Sequence, residues 1–197
     1  MKNSNHYSRA SFILSAKNLD QLPDDSGVEV AFAGRSNTGK SSVINVITRQ
    51  RQLARVSRTP GRTQLLNCFD LGQDRRLIDL PGYGYARVPE ETRRYWGRVL
   101  EAYFRTRESL QGLVLIVDIR HGMKDTDRQM HDWCQANDLP LHVVLNKADK
   151  LSRGAGLNRL NRLRDGLAPG VSVQAFSSLK QSGREELMAK LDEWFDW

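Results

Sequence analysis

The eight residues of the run GRSNTGKS could bind phosphate groups. They match the pattern Gly-x4-Gly-Lys-Ser between a run typical of a strand and a run typical of a helix, which is the context that a phosphate-binding loop requires. Backbone amides at the start of such a helix surround phosphate oxygens. The lysine would reach the β- and γ-phosphates of a nucleotide, and the serine hydroxyl would ligate Mg2+. The expected contacts are Gly34, Arg35, Ser36, Asn37, Thr38, Gly39, Lys40 and Ser41.

The run NKAD could identify the base of that nucleotide. Guanine presents two adjacent donors, whereas adenine presents an acceptor at N1 and no amine at C2. The carboxylate of Asp149 can only accept, so it would pair with guanine and stay unpaired beside adenine. Asn146 either donates to the other edge of the purine or ties its loop to the phosphate loop, and the stem of Lys147 can cover the ring. In the later run FSSLK, backbone amides near Ser177 and Ser178 are candidate donors to the guanine oxygen, with an ordinary serine-rich turn as the alternative.

The run DLPGYGYA fits a loop that senses magnesium and the γ-phosphate. Asp79 would hold Mg2+ through water, and the amide of Gly82 would meet the γ-phosphate. A further ligand should come from a threonine ahead of the preceding strand. Thr63, directly before that strand, is favoured over Thr59, which the following proline restricts. Loops held only by such contacts relax after hydrolysis, as in a switch.

Tyr83 follows that glycine, at a position where many nucleotide switches carry a water-orienting glutamine. Its phenol has no amide with which to orient water and is a poor base at neutral pH. We therefore predict a competent nucleotide binder that hydrolyses slowly without a partner or an added positive charge. Packing of the loop by Tyr83 is favoured over direct chemistry.

The elements that position these motifs alternate between strands and helices. Runs typical of strands are GVEVAFAGR, QLLNCFDL, RRLIDLPG, GLVLIVDIR, LHVVLNKAD and VSVQAFSSLK. Runs typical of helices are SSVINVIT, PEETRRYWGRVLEAYFRTRESL, DTDRQMHDWCQAND, NRLNRLRDGLA and GREELMAKLDEWFDW. This alternation predicts a doubly wound α/β domain with a mainly parallel sheet. Ligands of such sheets bind beyond the carboxyl ends of the strands, where each motif above lies.

Composition indicates an ordinary globular protein with a basic surface. The 197 residues carry a net charge of +7, and 22 of the 30 basic residues are arginine, which favours a nucleic-acid partner. Arginines in 87–108 are interleaved with glutamates, so pairing on a solvated helix is an equal alternative there; the stretch 49–62 has no acidic residue. No run is long enough for a membrane span. Two cysteines without a Cys-x-x-Cys pair favour a cytoplasmic setting.

Five runs together resemble the EngB (YsxC/YihA) family of bacterial GTPases: GRSNTGKSS, TPGRTQLLN, DLPGYGYA, NKADKL and FSSLK. The resemblance extends from about Phe12 to Phe195. It implies a Ras-like P-loop GTPase domain over residues 25–197, with residues 1–24 as an extension packing on or near it. It also implies binding of GTP, GDP and Mg2+, and action as a monomer in assembly of the large ribosomal subunit from rRNA and proteins. A link to cell division and septation is implied as well.

The resemblance also implies site residues. Catalytic roles fall on Lys40, Thr63 and Gly82, and metal ligation on Ser41, Thr63 and Asp79. Nucleotide contacts beyond the phosphate loop fall on Gly61, Arg62, Thr63, Gln64, Leu65, Asp79, Leu80, Pro81, Gly82, Asn146, Lys147, Ala148, Asp149, Phe176, Ser177 and Ser178. Several relatives with asparagine at the position of Asn37 use potassium there, so stimulation by K+ is a second hypothesis.

Two other functions compete with this interpretation. One is an ATPase or small-molecule kinase on the same phosphate loop, which NKAD disfavours. The other is a nucleic-acid-binding ribosomal factor in which the nucleotide is only structural.

Overall fold

The computed structural model of the protein describes residues 5–55, 65–83 and 90–197. Over these residues, seven strands form one sheet with helices on both faces. The strands are β1 (Ser11–Ala16), β2 (Val28–Gly34), β3 (Leu66–Gly72), β4 (Arg75–Asp79), β5 (Leu110–Asp118), β6 (Leu141–Asn146) and β7 (Ser172–Ala175). The helices are α1 (Asn5–Ser8), α2 (Lys40–Ile47), α3 (Glu90–Thr106), α4 (Asp125–Ala136), α5 (Arg153–Asp165) and α6 (Arg184–Phe195).

The sheet has the strand order β1-β3-β4-β2-β5-β6-β7. Strands β4, β2, β5, β6 and β7 run parallel, whereas β3 is antiparallel to both β4 and β1. The predicted doubly wound, mainly parallel α/β fold is confirmed. The carboxyl ends of β2, β4 and β6 therefore meet at one edge of the sheet, which brings the predicted motifs together.

The N-terminal segment contributes to this sheet through β1, which the sequence patterns did not predict. Its residues pair with β3 from Ser11 opposite Asp70 to Ala16 opposite Leu66. Just before it, Tyr7 is fully buried, and its hydroxyl donates to Asp192 Oδ1 on α6 at 2.7 Å. Part of the stretch 1–24 thus packs into the domain.

The core lies on both faces of the sheet, and β5 explains why its sequence is continuously apolar. Val114 and Ile116 pack toward α2 and α6, whereas Leu113 and Leu115 pack on the opposite face. All four side chains are fully buried. A parallel strand covered on both faces needs apolar residues at consecutive positions. No helix in the described part of the chain is long and apolar enough to cross a bilayer.

A buried charge cluster holds the start of β2. Glu29 is fully buried and accepts hydrogen bonds from Arg107 at 2.6 and 3.0 Å, from Arg76 at 3.2 Å and from the Tyr103 hydroxyl at 3.2 Å. Burial and the nearby Glu29 charge raise the pKa of Tyr103 well above its ordinary value, so the phenol donates. The cluster joins β2 to β4 and to the end of α3. Removing one member would leave a buried charge uncompensated, at a cost of about 3–5 kcal/mol.

Candidate functional site

The phosphate loop connects β2 to α2, and sterics explain two of its glycines. Gly39 precedes α2 with φ +95°, and a Cβ there would lie 2.3 Å from Asn146 Nδ2. A Cβ on Gly34 would lie 2.6 Å from the Ile116 carbonyl oxygen. Within the loop, Thr38 Oγ1 donates to the Arg35 carbonyl at 2.8 Å. The loop is therefore closed on itself and packed directly against β5 and the end of β6.

Lys40 and Asp79 form a buried ion pair at the carboxyl ends of β2 and β4. Their relative exposures are 9% and 2%. Asp79 reaches this position because β4 runs beside β2, with Asp79 in register with Phe32. Asn67 donates to the other carboxylate oxygen at 3.5 Å. The cation predicted to meet phosphate and the carboxylate predicted to meet magnesium thus lie together.

The loop after β4 lies against the phosphate loop. The amide of Ser36 donates to the Tyr83 carbonyl at 3.0 Å. A Cβ on Gly82 would lie 2.9 Å from Ser36 Oγ, so the two loops approach each other closely at this glycine. The Ser36 hydroxyl is buried and has no hydrogen-bond partner among the residues that the structure describes. This places the predicted γ-phosphate sensor within contact distance of the phosphate loop.

Tyr83 points its hydroxyl away from that contact. The phenol donates to Asp127 Oδ1 at 2.8 Å, and the ring packs against the core under α3 and α4. Burial and the charge of Asp127 raise the pKa of Tyr83 well above its ordinary value, so the group stays protonated. The second oxygen of Asp127 accepts from the Lys124 amide at 2.8 Å, which caps α4. Tyr83 is therefore fixed to the first turn of α4.

Asn146 links the base-recognition loop to the phosphate loop. It is 1% exposed and donates from Nδ2 to the Thr38 carbonyl at 2.9 Å. Its Oδ1 accepts from the Ser178 amide at 3.2 Å and from the Ser178 hydroxyl at 3.1 Å. The sequence left two roles open for Asn146, donating to the purine or linking its loop to the phosphate loop. The structure shows the link between the loops. The Ser177 amide donates to the Ser182 carbonyl at 3.1 Å, so both predicted amide donors have protein acceptors.

Asp149 is held as an ionised acceptor. The Ser177 hydroxyl donates to its Oδ1 at 2.5 Å. This hydrogen bond, more than the opposing effect of burial, holds the pKa of Asp149 below its ordinary value. An ionised carboxylate accepts hydrogen bonds only, which matches the two donors on one edge of guanine.

Lys147 is held across the phosphate loop by a residue that the motifs did not identify. Its Nζ donates to the Asn37 carbonyl and lies 2.9 Å from Asp118 Oδ2. Burial raises the pKa of Asp118, but donors from Arg120 and Lys147 outweigh it and lower the pKa below its ordinary value. Asp118 ends β5 as Asp79 ends β4. An aspartate at the end of an apolar strand was therefore the sequence signal that could have identified it as a site residue.

The remaining predicted residues fall into three groups. Backbone hydrogen bonds hold the first group: the Ala148 amide donates to the Phe176 carbonyl at 2.9 Å, and the Leu80 amide donates to the Phe32 carbonyl at 3.0 Å. Pro81, which follows Leu80, is buried. Ser41 is partly buried in the first turn of α2, and Leu65 directly precedes β3. The predictions for Gly61, Arg62, Thr63 and Gln64 lie outside the described residues.

Comparison with known proteins identifies relatives over nearly the whole chain. A family model described as 50S ribosome-binding GTPase matches residues 29–147. A "probable GTP-binding protein EngB" of Salmonella newport is 52% identical over 193 residues, which is 96% of this chain and 92% of the relative. The protein of the same name from Shigella boydii serotype 18 is also 52% identical over 193 residues, with the same two coverages.

Solved structures show the same fold. The crystal structure of a probable GTP-binding protein EngB has a TM-score of 0.70 at 23% identity, covering 86% of this chain and 99% of the other. A variant of Era from Aquifex aeolicus, bound to GDP and AlF4−, has a TM-score of 0.67 at 20% identity. That match covers 84% of this chain and 56% of Era.

Proposed function

The chain belongs to the EngB family of GTP-binding P-loop GTPases, and we propose that it is a slow GTP-driven switch acting in assembly of the large ribosomal subunit. The observation that carries the slow switch is the Tyr83 hydroxyl bonded to Asp127, at the position where a glutamine would orient water.

Magnesium fits the residues beside the phosphate loop. Asp79 supplies a buried carboxylate at the end of β4, and Ser41 supplies a hydroxyl in the first turn of α2. Oxygen donors of this kind suit Mg2+, which binds through few protein ligands and substrate phosphates. Thr63, from outside the described residues, is the proposed further ligand. When bound, the ion neutralises charge on the β- and γ-phosphates.

Hydrolysis is proposed to be slow because the described loop offers no base beside the γ-phosphate position. The Tyr83 phenol is protonated and directed at α4, while Gly82 contributes only its backbone. Stabilisation of the transition state by Lys40 and Gly82 remains, and charge supplied in trans raises hydrolysis in such enzymes by about 10³–10⁵-fold. Potassium near Asn37 is a second proposed source of that charge.

The proposed partner is the large ribosomal subunit or its precursor, in the cytoplasm, with the protein acting as a monomer. Support comes from the description of the matching family model and from the net charge of +7. The proposed function includes a link to normal cell division and septation.

Cosedimentation with purified large ribosomal subunits tests this proposal. We expect stronger association with a nonhydrolysable GTP analogue than with GDP, and faster GTP hydrolysis when subunits are added. Equal association in both nucleotide states would instead support a nucleic-acid-binding factor with a structural nucleotide. Rapid hydrolysis by the protein alone, without subunits or K+, would contradict the slow switch.

A further inference from the structure

The loop after α2 carries an arginine at a backbone position that usually requires glycine. The Gln50 amide donates to the Asn45 carbonyl at 3.0 Å and the Arg49 amide donates to the Val46 carbonyl at 3.3 Å. These two bonds form a Schellman ending, whose left-handed residue is most often glycine. Here Arg49 occupies it with φ +55° and an exposed side chain. A positive charge near a helix C-terminus stabilises the helix, which is the simplest role for this arginine.

Side-chain hydrogen bonds fix the rest of the loop. Asn45 donates to the Arg51 carbonyl at 3.2 Å and to the Ala54 carbonyl at 2.9 Å, and it accepts from the Ala54 amide at 2.8 Å. Ala54 is 1% exposed, whereas Arg51 and Arg55 on either side are exposed. The backbone is thus held in one shape while the guanidinium groups face solvent.

Gln50 joins this loop to the N-terminal segment. Its Nε2 donates to the Ala10 carbonyl at 2.6 Å and to the Ser8 carbonyl at 3.3 Å. The exposed Arg9 lies between those two residues, and β1 then presents Phe12 with 53% of its surface exposed. The exposed side chains that these two joined segments carry are here called the arginine edge, defined as Arg9, Phe12, Arg49, Arg51 and Arg55.

The arginine edge carries uncompensated charge. None of its four arginines forms an ion pair within the described part of the chain. The arginines can therefore bind phosphates without breaking an existing pair.

Helix α3 shows the contrasting arrangement. Arg94 pairs with Glu90 at 2.5 Å, and Arg105 pairs with Glu101 at 3.7 Å, both one turn apart on exposed positions. The sequence offered two interpretations of the arginines in 87–108, a nucleic-acid partner or pairing with glutamates. Arg94 and Arg105 show the pairing with glutamates. A phosphate would have to compete with a carboxylate there.

We infer that the arginine edge binds RNA of the large ribosomal subunit, with guanidinium groups on phosphates and the Phe12 ring stacked on an unpaired base. This rests on the proposed function and names the surface that carries it. Arginine forks match phosphate geometry, and exposed aromatic rings among basic residues suit single-stranded RNA. An anionic membrane would need a broad apolar face, whereas β1 exposes only Phe12 and Ile13 among the large apolar residues of this edge.

Binding to rRNA extracted from large ribosomal subunits, titrated over a range of salt concentrations, tests the inference. Replacing three charges, as Arg49→Gly, Arg51→Gln and Arg55→Gln together, should weaken binding by about tenfold or more. It should also reduce the slope of log affinity against log salt by about 2. Phe12→Ala should weaken binding by about tenfold with the salt slope unchanged, because stacking releases no counterions.

The matched control removes three exposed charges from α5, as Arg159→Gln, Arg162→Gln and Arg164→Gln. If the control weakens binding as much, net charge rather than this surface is responsible and the inference falls. Arg49→Gly alone should weaken RNA binding while the melting temperature stays equal or rises; unchanged RNA binding would leave Arg49 as a helix cap only. GTP affinity should be the same in all these variants.

Two further outcomes separate the possibilities. If the natural protein binds neither subunits nor extracted rRNA in either nucleotide state, the proposed function itself fails. If it binds rRNA and the triple variant binds equally well, only the arginine edge is refuted. Loss of binding to phosphatidylglycerol vesicles without loss of rRNA binding in the triple variant would assign the surface to a membrane instead.

Discussion

The two ends of the nucleotide site are built differently. At the base end, Asn146 and Asp149 are held by hydrogen bonds from neighbouring loops, and Asp149 keeps acceptor capacity for a ligand. At the phosphate end, Lys40 and Asp79 are each other's partners. On the proposed function, binding a metal–triphosphate complex there would require both groups to exchange partners, whereas binding guanine would require no rearrangement of Asn146. Base selection would thus be preorganised, and recognition of the phosphates would depend on re-pairing of charge between Lys40 and Asp79.

The largest expected effect breaks the base end. Asp149→Asn should lower GTP affinity by roughly 10³-fold or more, because the introduced amide meets the donors of guanine with a donor of its own. Affinity for XTP should rise, since xanthine has a carbonyl oxygen where guanine has its amine. Titration with both nucleotides measures this. As a control, Ser177→Ala should lower GTP affinity by only about tenfold, and unchanged GTP affinity in the Asn variant would refute the role of Asp149.

The next effect breaks the phosphate end. Lys40→Met should lower the free energy of unfolding by about 3–5 kcal/mol, because Asp79 stays buried without its cation. It should also abolish preference for GTP over GDP. The double variant Lys40→Met with Asp79→Asn should recover most of the stability and none of the triphosphate affinity. Urea unfolding measures the stability, and nucleotide titration measures the affinity. If the Lys40→Met variant is as stable as the natural protein, the ion pair between Lys40 and Asp79 does not stabilise the fold.

Tyr83 lies in the loop at the phosphate end, but its hydroxyl donates to Asp127 in the first turn of α4. A variant at this position therefore separates stability from hydrolysis. Tyr83→Phe should cost about 1.5–3 kcal/mol of stability through loss of the hydrogen bond to Asp127. Since the hydroxyl faces α4, the rate of GTP hydrolysis at saturation should stay within about twofold. Single-turnover hydrolysis and thermal unfolding check this. A large fall in hydrolysis with stability unchanged would mean that the phenol acts in the chemistry.

The smallest effect concerns the strand that carries the base end. His142 on β6 is buried between Ser172 Oγ at 2.7 Å and Gln174 Oε1 at 2.9 Å, and burial lowers its pKa to about 4. The folded protein keeps it neutral while the unfolded chain takes up a proton below pH 6.5, so stability falls as pH decreases through that value. From pH 7.5 to 5.5 the loss from this group should be roughly 1 kcal/mol. His142→Gln should remove that part of the pH dependence in urea unfolding; an unchanged dependence would assign it elsewhere.

Sequence patterns located the loops that the structure brings together at one edge of the sheet, because their motifs are local and sterically strict. Gly39 admits no side chain beside Asn146, so the spacing of the phosphate loop reports its shape. The roles of Asp118 and Asp127 were not predicted, since each depends on a contact between distant segments.

The fold was predicted except where patterns were weak. Strand β1 lies at the sheet edge with Phe12 and Ile13 turned to solvent, so its apolar residues show no alternation between buried and exposed positions. Helix α5 begins at Arg153, five residues before the predicted run. Its first turn was not predicted because it contains Gly154 and Gly156, and glycine is a poor helix former. Ser152 marks the start by accepting from the Ala155 amide at 3.4 Å.

The buried cluster around Glu29 has a consequence for genetics. Strand β2 runs from this cluster to the phosphate loop, a span of roughly 20 Å, so no member of the cluster contacts nucleotide. Alleles at Glu29 or Arg107 would nevertheless resemble nucleotide-site alleles in a cell, because poorly folded protein is degraded and its abundance falls. Excess guanine nucleotide would raise the abundance of the Glu29 and Arg107 variants by stabilising their folded state. It would leave variants of the nucleotide site inactive.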